Sequence, residues 1–343
     1  MQNELKKFDF GIRVDMGGVI GSGHIYRSSA LADELIKKGR TVVFIVKNKK
    51  NFLLHTHGKK YQYIDLKTSN DIECIKKCKK LKGIKNLILD LQKHNEKYAE
   101  KLKSKFFIIS IDDVGNKKIY SNVIINGQIG KFNYNYSFSN LDTKRLLGTD
   151  YIILRNSFHK LSKKFSISKK PIKKILLAFG GSDDEDVIRR ILPFLISRNF
   201  ELTVILGATY PHSNLISLLA KKHKNLQIKK SLNEVATIYL KNDIVIASSG
   251  MTSYELACLG VPSLFIPSGE HQHKIAKEFM KKGFGINYGF WDDNYEHFSK
   301  VLAKFSSYYF RKEMNRNGKK IVDGKGIFRI IKGLINLDSY ELS

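Results

Sequence analysis

Residues 11–35 read GIRVDMGGVIGSGHIYRSSALADEL, and their order decides the fold. An apolar run ending at Asp15 gives way to a glycine-rich loop, and the loop to a run with Ile25, Leu31 and Leu35 at helical spacing. This is the strand, turn and helix of a βα unit. Gly21 and Gly23 have no side chains, so a ligand can approach the backbone, and the helix start offers unpaired N–H groups and partial positive charge to an anion. An imidazole at such a helix start has its charged form disfavoured, which makes His24 a candidate general base near pH 7. Asp15, ending the strand, is a candidate catalytic partner that orients that ring or holds a substrate hydroxyl.

Outward from this unit the same rhythm recurs. FGIRVD (10–15), TVVFIV (41–46), NLILD (86–90), FFIISID (106–112) and NVIIN (122–126) are strand-like runs separated by helical segments. Residues 158–173, FHKLSKKFSISKKPIK, are polar, basic and proline-marked, and read as a linker or domain edge. The alternation then restarts with KKILLAF (173–179), ELTVIL (201–206), NLQIKK (225–230), DIVIA (243–247) and SLFIP (263–267). The expected fold class is α/β, with two Rossmann-like doubly wound parallel sheets facing a cleft: residues 1–160 carry the glycine loop and histidine, and 171–320 bind the ligand. The terminal segment 321–343 is expected to be a helical tail that crosses back to the first domain.

With 343 residues the chain fits about two domains of ordinary size. It has no apolar run of the roughly 18 residues a membrane span needs, and MQNELKKFDF lacks a signal-peptide core, so a cytoplasmic protein is expected. Three cysteines, with Cys74 and Cys78 in a lysine-rich helical run, give neither a disulfide framework nor zinc-finger spacing. The net charge of +28 invites nucleic acid or anionic lipid. Its lysines are scattered, however, without an arginine stripe or interleaved aromatics. We therefore expect no nucleic-acid partner, and read the charge as a solvated surface that favours an acidic small substrate and allows peripheral membrane contact.

Polar motifs cluster where the predicted strands end: Asp15 to His24, Asp90, Asp112-Asp113, Gly180 to Asp183, Ser248 to Gly250 and Ser268 to Glu270. Ligands of open parallel sheets settle at those ends. A dinucleotide is disfavoured, because Tyr26 stands where the third glycine is required and Lys47 to Lys50 replace the acidic residue after the second strand. No G-x-x-x-x-G-K-S/T occurs, which excludes a P-loop hydrolase. Asp184-Glu185-Asp186 resembles a metal-binding D-x-D, but it directly precedes the amphipathic run VIRRILPFLI and is read as helix-start acids. Neither a metal nor an organic cofactor is expected.

The second constellation is residues 247–283. Ser249, Gly250, Thr252 and Ser253 stand at a strand-to-helix turn where backbone and hydroxyl groups can donate to a diphosphate, and Glu255 can accept both hydroxyls of a ribose. Glu270, His271 and Gln272 open the next helix.

These segments resemble the GT-B nucleotide-sugar enzymes, and most closely the hydrolases of the pseudaminic acid pathway that act on UDP-2,4-diacetamido-2,4,6-trideoxy-β-L-altropyranose. The family pattern is carried by Arg13, Asp15, Gly21, Gly23, His24, Arg27, Leu31 and Ala32, followed in order by SIDD (110–113), GTDYIILRNSF (148–158), LAFGGSDDED (177–186) and the 247–283 block. The resemblance implies a general base at His24, a substrate-contacting arginine at Arg155 and a nucleotide-contacting Glu255. Asp90 is followed here by Leu91 and Gln92 instead of the family's His-Tyr, and Glu270-His271-Gln272 replaces its D/N-Q. The peptidoglycan N-acetylglucosaminyl transferase is a more distant relative.

The resulting expectation is a UDP-sugar hydrolase. Gly23, Arg27, Asp90, Arg155 and Gln272 would contact the sugar, and Gly181, Gly207, Ser249, Gly250, Thr252, Ser253 and Glu255 the nucleotide, with uracil near Leu206-Gly207. Water activated by His24 would attack the anomeric carbon with inversion. The alternatives are an inverting glycosyltransferase for surface polysaccharide, in which a hydroxyl acceptor replaces the water, and a protein that binds nucleotide sugars without consuming them.

Overall fold

The computed structural model describes residues 8–15, 23–56, 61–66, 70–77, 83–91, 95–180, 183, 185–207, 210–230 and 235–340. The chain divides into two compact units, one formed by Met1–Arg155 with Lys325–Ser343 and the other by Asn156–Gly324.

In the first unit the strands are β1 (Phe10–Val14), β2 (Val42–Val46), β3 (Gln62–Asp65), β4 (Asn86–Asp90), β5 (Phe107–Ile111), β6 (Lys117–Ile119), β7 (Val123–Asn126), β8 (Tyr136–Phe138) and β9 (Lys144–Leu147). Seven form one parallel sheet in the order β3-β2-β1-β4-β5-β7-β9, and β6 pairs with β8 separately. Helices α1 (Gly23–Lys37), α2 (Lys49–His55), α3 (Asp71–Lys77) and α4 (Asn95–Leu102) lie between successive strands. The central strands β1, β2 and β4 are buried along their whole length, as a sheet covered on both faces requires. Their alternate residues separate into two cores. Phe10, Ile12, Val14, Phe44 and Ile88 meet Ile25, Leu31 and Leu35 of α1, whereas Val43, Ile45, Leu87 and Leu89 meet Ile72 and Ile75 of α3 and Ala99 and Leu102 of α4.

In the second unit the sheet is β12-β11-β10-β13-β14-β15, again parallel, from β10 (Lys174–Ala178), β11 (Glu201–Leu206), β12 (Leu226–Lys230), β13 (Ile244–Ala247), β14 (Ser263–Phe265) and β15 (Ile286–Asn287). Its helices are α5 (Asn156–Leu161), α6 (Val187–Ile196), α7 (Ser213–Lys222), α8 (Val235–Tyr239), α9 (Met251–Leu259), α10 (Glu270–Lys281), α11 (Tyr295–Ala303) and α12 (Tyr308–Ile321). The polar stretch read as a linker starts inside α5, where Phe158 is fully buried with its ring tilted against that of Tyr239. Farther along it, the buried Arg311 guanidinium donates to the carbonyls of Ser168 and Lys170, each at 2.8 Å, and pins the extended chain to α12.

The last helix, α13 (Gly326–Tyr340), belongs to the first unit. Ile327, Ile330, Ile331 and Leu334 recur at helical spacing and enter the same core as α1. A β-carbon on Gly326 would come 2.3 Å from the carbonyl oxygen of Ile152, and one on Gly127 would come 2.4 Å from the same residue's Cα, so both glycines are required by close backbone approach. Among the described residues no helix is long and apolar enough to cross a membrane.

Both sheets share one topological feature. The chain leaves the central strand in one direction (β1 to β3, β10 to β12) and then returns to its other side (β4, β13). Ligand crevices of doubly wound folds open at the carboxyl ends of the two strands flanking this reversal, here β1/β4 and β10/β13.

Candidate functional site

In the first unit the reversal brings the start of α1 to the end of β4. Val14 and Asp90 are register partners, so the helix that follows β1 begins beside the Asp90 carboxylate. His24, second residue of α1, places Nδ1 2.7 Å from Asp90 Oδ1. One turn on, Arg27 directs Nε and Nη2 to Asp90 at 2.5–3.1 Å, and Nη1 to both oxygens of Asp113 at 2.6 and 2.7 Å. Ser28 Oγ donates to Asp90 Oδ2 at 2.8 Å.

Asp90 is fully buried, and burial opposes its ionisation. Arg27 and His24 outweigh that cost and hold the carboxyl well below the usual carboxylate range. Asp113 is likewise lowered, against burial, chiefly by Arg27. Burial opposes the charge on Arg27 too, and Asp113 with Asp90 more than restores it. An ionised Asp90 can only accept, so the Nδ1 that faces it carries a proton, and in the neutral form of the ring the lone pair is on Nε2. Arg27 Nη2, 3.1 Å from Nδ1, is a neighbouring donor and not a partner of that protonated nitrogen.

This geometry reassigns three predicted residues. Asp15 does not orient His24: it forms a two-point pair with the buried Arg13, at 2.5 and 2.8 Å, and the orienting carboxylate is Asp90. Asp90 and Arg27, read as sugar contacts, are buried and paired with one another, Asp90 accepting also from His24 and Ser28 and Arg27 donating also to Asp113. Arg13 is held in turn by Asp71 at 3.2 Å, and Asp71 by Lys47 at 2.9 Å, so the lysine after β2 has a structural partner. Gly23 is exposed, and among the described residues an added β-carbon there would meet nothing within 4 Å. Arg155 stands with its guanidinium carbon 5.8 Å from the centre of the Tyr26 ring on α1.

In the second unit the β13–α9 turn carries Ser249, Gly250, Thr252 and Ser253. The Ser249 hydroxyl donates to the carbonyl of Gln272 and that of Ser253 to the carbonyl of Gly250, each at 2.7 Å, and both serines are fully buried. Their hydroxyls therefore hold the turn together and are not presented to a phosphate, contrary to expectation. What the turn can present is backbone: α9 starts at Met251 with Gly250 as its cap, and among the described residues nothing lies within 4 Å of a β-carbon built there. Thr252 is half-buried on the first turn, and Glu255 follows one turn in, half-buried, accepting from Tyr239 Oη at 3.2 Å. Gln272 is half-buried on α10, where its side-chain oxygen accepts from the Ser268 amide at 3.1 Å and fixes the loop after β14.

Gly207 directly follows β11, and its carbonyl accepts from the Tyr210 amide at 3.3 Å. Asp183 accepts from the amides of Val187 and Ile188 and so caps the start of α6, whereas Asp186, at the cap position, makes no side-chain capping bond and accepts from Tyr210 Oη at 2.9 Å and from Arg189. Gly21, Cys78, Gln92, Gly181 and Asp184 lie outside the described residues. Sequence reasoning noticed Asp113 without giving it a role and missed Ser28, Gln128 and Tyr239. For Asp113 the available signal was its position at a strand end.

Residues 175–323 match the glycosyltransferase family 28 C-terminal domain. Protein MJ1062 of Methanocaldococcus jannaschii is 30% identical over 282 residues, covering 77% of this chain and 56% of that protein, so this chain spans about half its length. The spore coat polysaccharide biosynthesis protein SpsG of Bacillus subtilis is 27% identical over 343 residues, which cover 97% of this chain and 99% of that one. Among solved structures, MurG of Acinetobacter baumannii aligns with a TM-score of 0.68 at 14% identity over 94% of this chain and 98% of its own. The chain therefore has the GT-B fold, built from two Rossmann-like domains.

Proposed function

We propose that this chain is an inverting glycosyltransferase that moves a sugar from UDP to a hydroxyl acceptor, with His24 as general base. In this reading Nε2 takes the proton of the acceptor hydroxyl as its oxygen bonds to the anomeric carbon. The bond from that carbon to the diphosphate breaks on the opposite face, and its electron pair leaves with UDP. Amides at the start of α9 receive the growing negative charge, and Glu255 holds the ribose. UDP is a good leaving group, so no second carboxylic acid is demanded. The observation that carries this reading is the 2.7 Å contact between His24 Nδ1 and a buried carboxylate, which leaves the lone pair on Nε2. The glycosyltransferase family 28 match over 175–323 supports the sugar-nucleotide donor, and the full-length likeness to a polysaccharide biosynthesis protein supports a surface polysaccharide as destination.

A second reading replaces the acceptor hydroxyl with water. The spacing of Arg13, Asp15, Gly21, Gly23, His24 and Arg27 favours it, because it resembles the pseudaminic-pathway hydrolases that release a free diacetamido-trideoxy sugar. One experiment separates the readings: incubation with a panel of UDP-sugars, with and without acceptors, following UDP release and anomeric configuration by NMR. Release that depends on an acceptor supports transfer, and release in buffer alone supports hydrolysis. Binding without consumption would reject both. His24→Ala should lower turnover by about 10²- to 10⁴-fold and spare UDP affinity, and a near-normal rate would exclude the base role.

A further inference from the structure

We propose that Asp113 determines sugar specificity, its carboxylate accepting a hydrogen bond from one hydroxyl or acetamido N–H of the transferred glycosyl group. The inference rests on the function proposed above and names the part of the donor that the first unit recognises.

Asp113 lies just past the end of β5, the neighbour of β4, on the same edge of the sheet as Asp90. Along the polar chain His24–Asp90–Arg27–Asp113, the side chains of Asp90 and Arg27 are 0% and 7% exposed, whereas that of Asp113 is 28% exposed. It is the carboxylate of this chain that can be reached. Its Oδ1 accepts from Arg27 Nη1 and from Gln128 Nε2 at 3.1 Å, while Oδ2 accepts from Arg27 Nη1 at 2.7 Å. Each carboxylate oxygen has two lone pairs, so Oδ2 retains acceptor capacity.

The adjacent Asp112 makes the contrast. It is buried and accepts from Tyr136 Oη, the Gly115 amide and Lys117 Nζ, at 2.6–2.8 Å, which accounts for it as a structural residue. Asp113 accepts instead from two side chains, Arg27 and Gln128. Arg27 also ties it to the base: one guanidinium holds Asp113 through Nη1 and Asp90 through Nε and Nη2, and Asp90 holds His24. Acceptor and base are thus fixed relative to one another before any ligand arrives. The charge selects the ligand group. An ionised carboxylate repels a diphosphate and favours a neutral donor, which on a nucleotide sugar means a ring hydroxyl or an amide N–H.

The test compares wild type with Asp113→Asn and Asp113→Ala, using UDP-N-acetylglucosamine and UDP-N-acetylgalactosamine, their monodeoxy analogues, and UDP-glucose and UDP-galactose, which lack the acetamido group. Wild type should lose about 10- to 100-fold in kcat/KM on the one analogue that lacks the recognised donor, the range expected for a hydrogen bond to a charged group. In both variants that gap should collapse to a few-fold, with UDP affinity by titration unchanged. A gap of undiminished size, or a uniform loss on every sugar, would overturn the assignment, the second outcome meaning that Asp113 only braces Arg27. Wild type consuming none of these sugars overturns the inference together with the proposed function. Wild-type turnover that depends on His24 with no change of selectivity in the variants overturns the Asp113 assignment alone.

Discussion

His24 Nδ1 and Asp90 Oδ1 stand 2.7 Å apart although 66 positions separate them in the chain, because the parallel register of β1 and β4 aligns Val14 with Asp90. The carboxylate accepts from three side chains at once, and an amide cannot. In Asp90→Asn the new NH₂ group must face donors whichever way it is turned, either Arg27 with Ser28 or Arg27 with His24. With the NH₂ turned toward His24, the ring must accept at Nδ1 and no longer carries its proton there. We expect kcat to fall about 10²- to 10⁴-fold with UDP affinity unchanged, measured by UDP release and by titration. A variant with wild-type kcat would show that Asp90 does not set the tautomer.

Arg27 is the cation shared by Asp90 and Asp113, and its removal leaves the buried Asp90 and the half-buried Asp113 without their main partner. Arg27→Met should cost about 3–5 kcal/mol in urea-induced unfolding at neutral pH. The pH dependence has a definite sign. Both carboxyls are held below their ordinary value of about 4 in the folded protein, so the stability they contribute is complete above that value and is lost as pH falls through the lowered folded values. Without Arg27 those folded values rise, and the acid-unfolding midpoint of the variant should move to higher pH. An unchanged acid midpoint would mean that other groups carry the acid sensitivity.

Both parallel sheets were legible in the sequence because their central strands are apolar on both faces and stand out as unbroken runs. The strands that escaped notice are edge or peripheral ones: Gln62–Asp65 is only partly buried, Lys144–Leu147 mixes basic and apolar residues, Lys117–Ile119 and Tyr136–Phe138 are three-residue strands that pair only with each other, and Ile286–Asn287 is two residues long. The histidine was legible from its loop and helix. Its partner was not, since Asp15 is near in sequence whereas Asp90 becomes near only through the β1–β4 pairing. For the same reason Arg27 read as a substrate ligand: nothing local announces that two carboxylates from later strands enclose it. The serines of the β13–α9 turn were placed correctly on that turn, but the carbonyls that take their protons come from backbone geometry and leave no trace in composition.

Glu255 is the carboxylate proposed for the ribose, and Tyr239 is the donor that holds it from α8 at 3.2 Å. Glu255→Ala should weaken UDP binding in calorimetric titration by about 10-fold or more, as for loss of a charge-assisted hydrogen bond, and affect His24-dependent chemistry only through that binding. Tyr239→Phe should produce a smaller loss, because the carboxylate survives and only its orientation is relaxed. Unchanged UDP affinity in Glu255→Ala would refute the assignment.

Two glycines of α13 should respond to the same substitution with opposite signs. At Gly326 a β-carbon would stand 2.3 Å from Ile152 O and 2.8 Å from Ile152 N, backbone atoms that cannot turn aside, so alanine there must push the start of α13 away from the segment before α5. The helix carries Ile327, Ile330, Ile331 and Leu334 in the core of the first unit, and displacing them should cost about 1–3 kcal/mol. At Gly333 the nearest atom is the flexible end of Lys144, 3.6 Å away, an ordinary contact. Alanine at that helix-interior position should instead stabilise by about 0.5–1 kcal/mol, by restricting the unfolded chain. Thermal unfolding of the two variants checks both signs together. If Gly326→Ala is neutral, α13 does not depend on its close approach to Ile152.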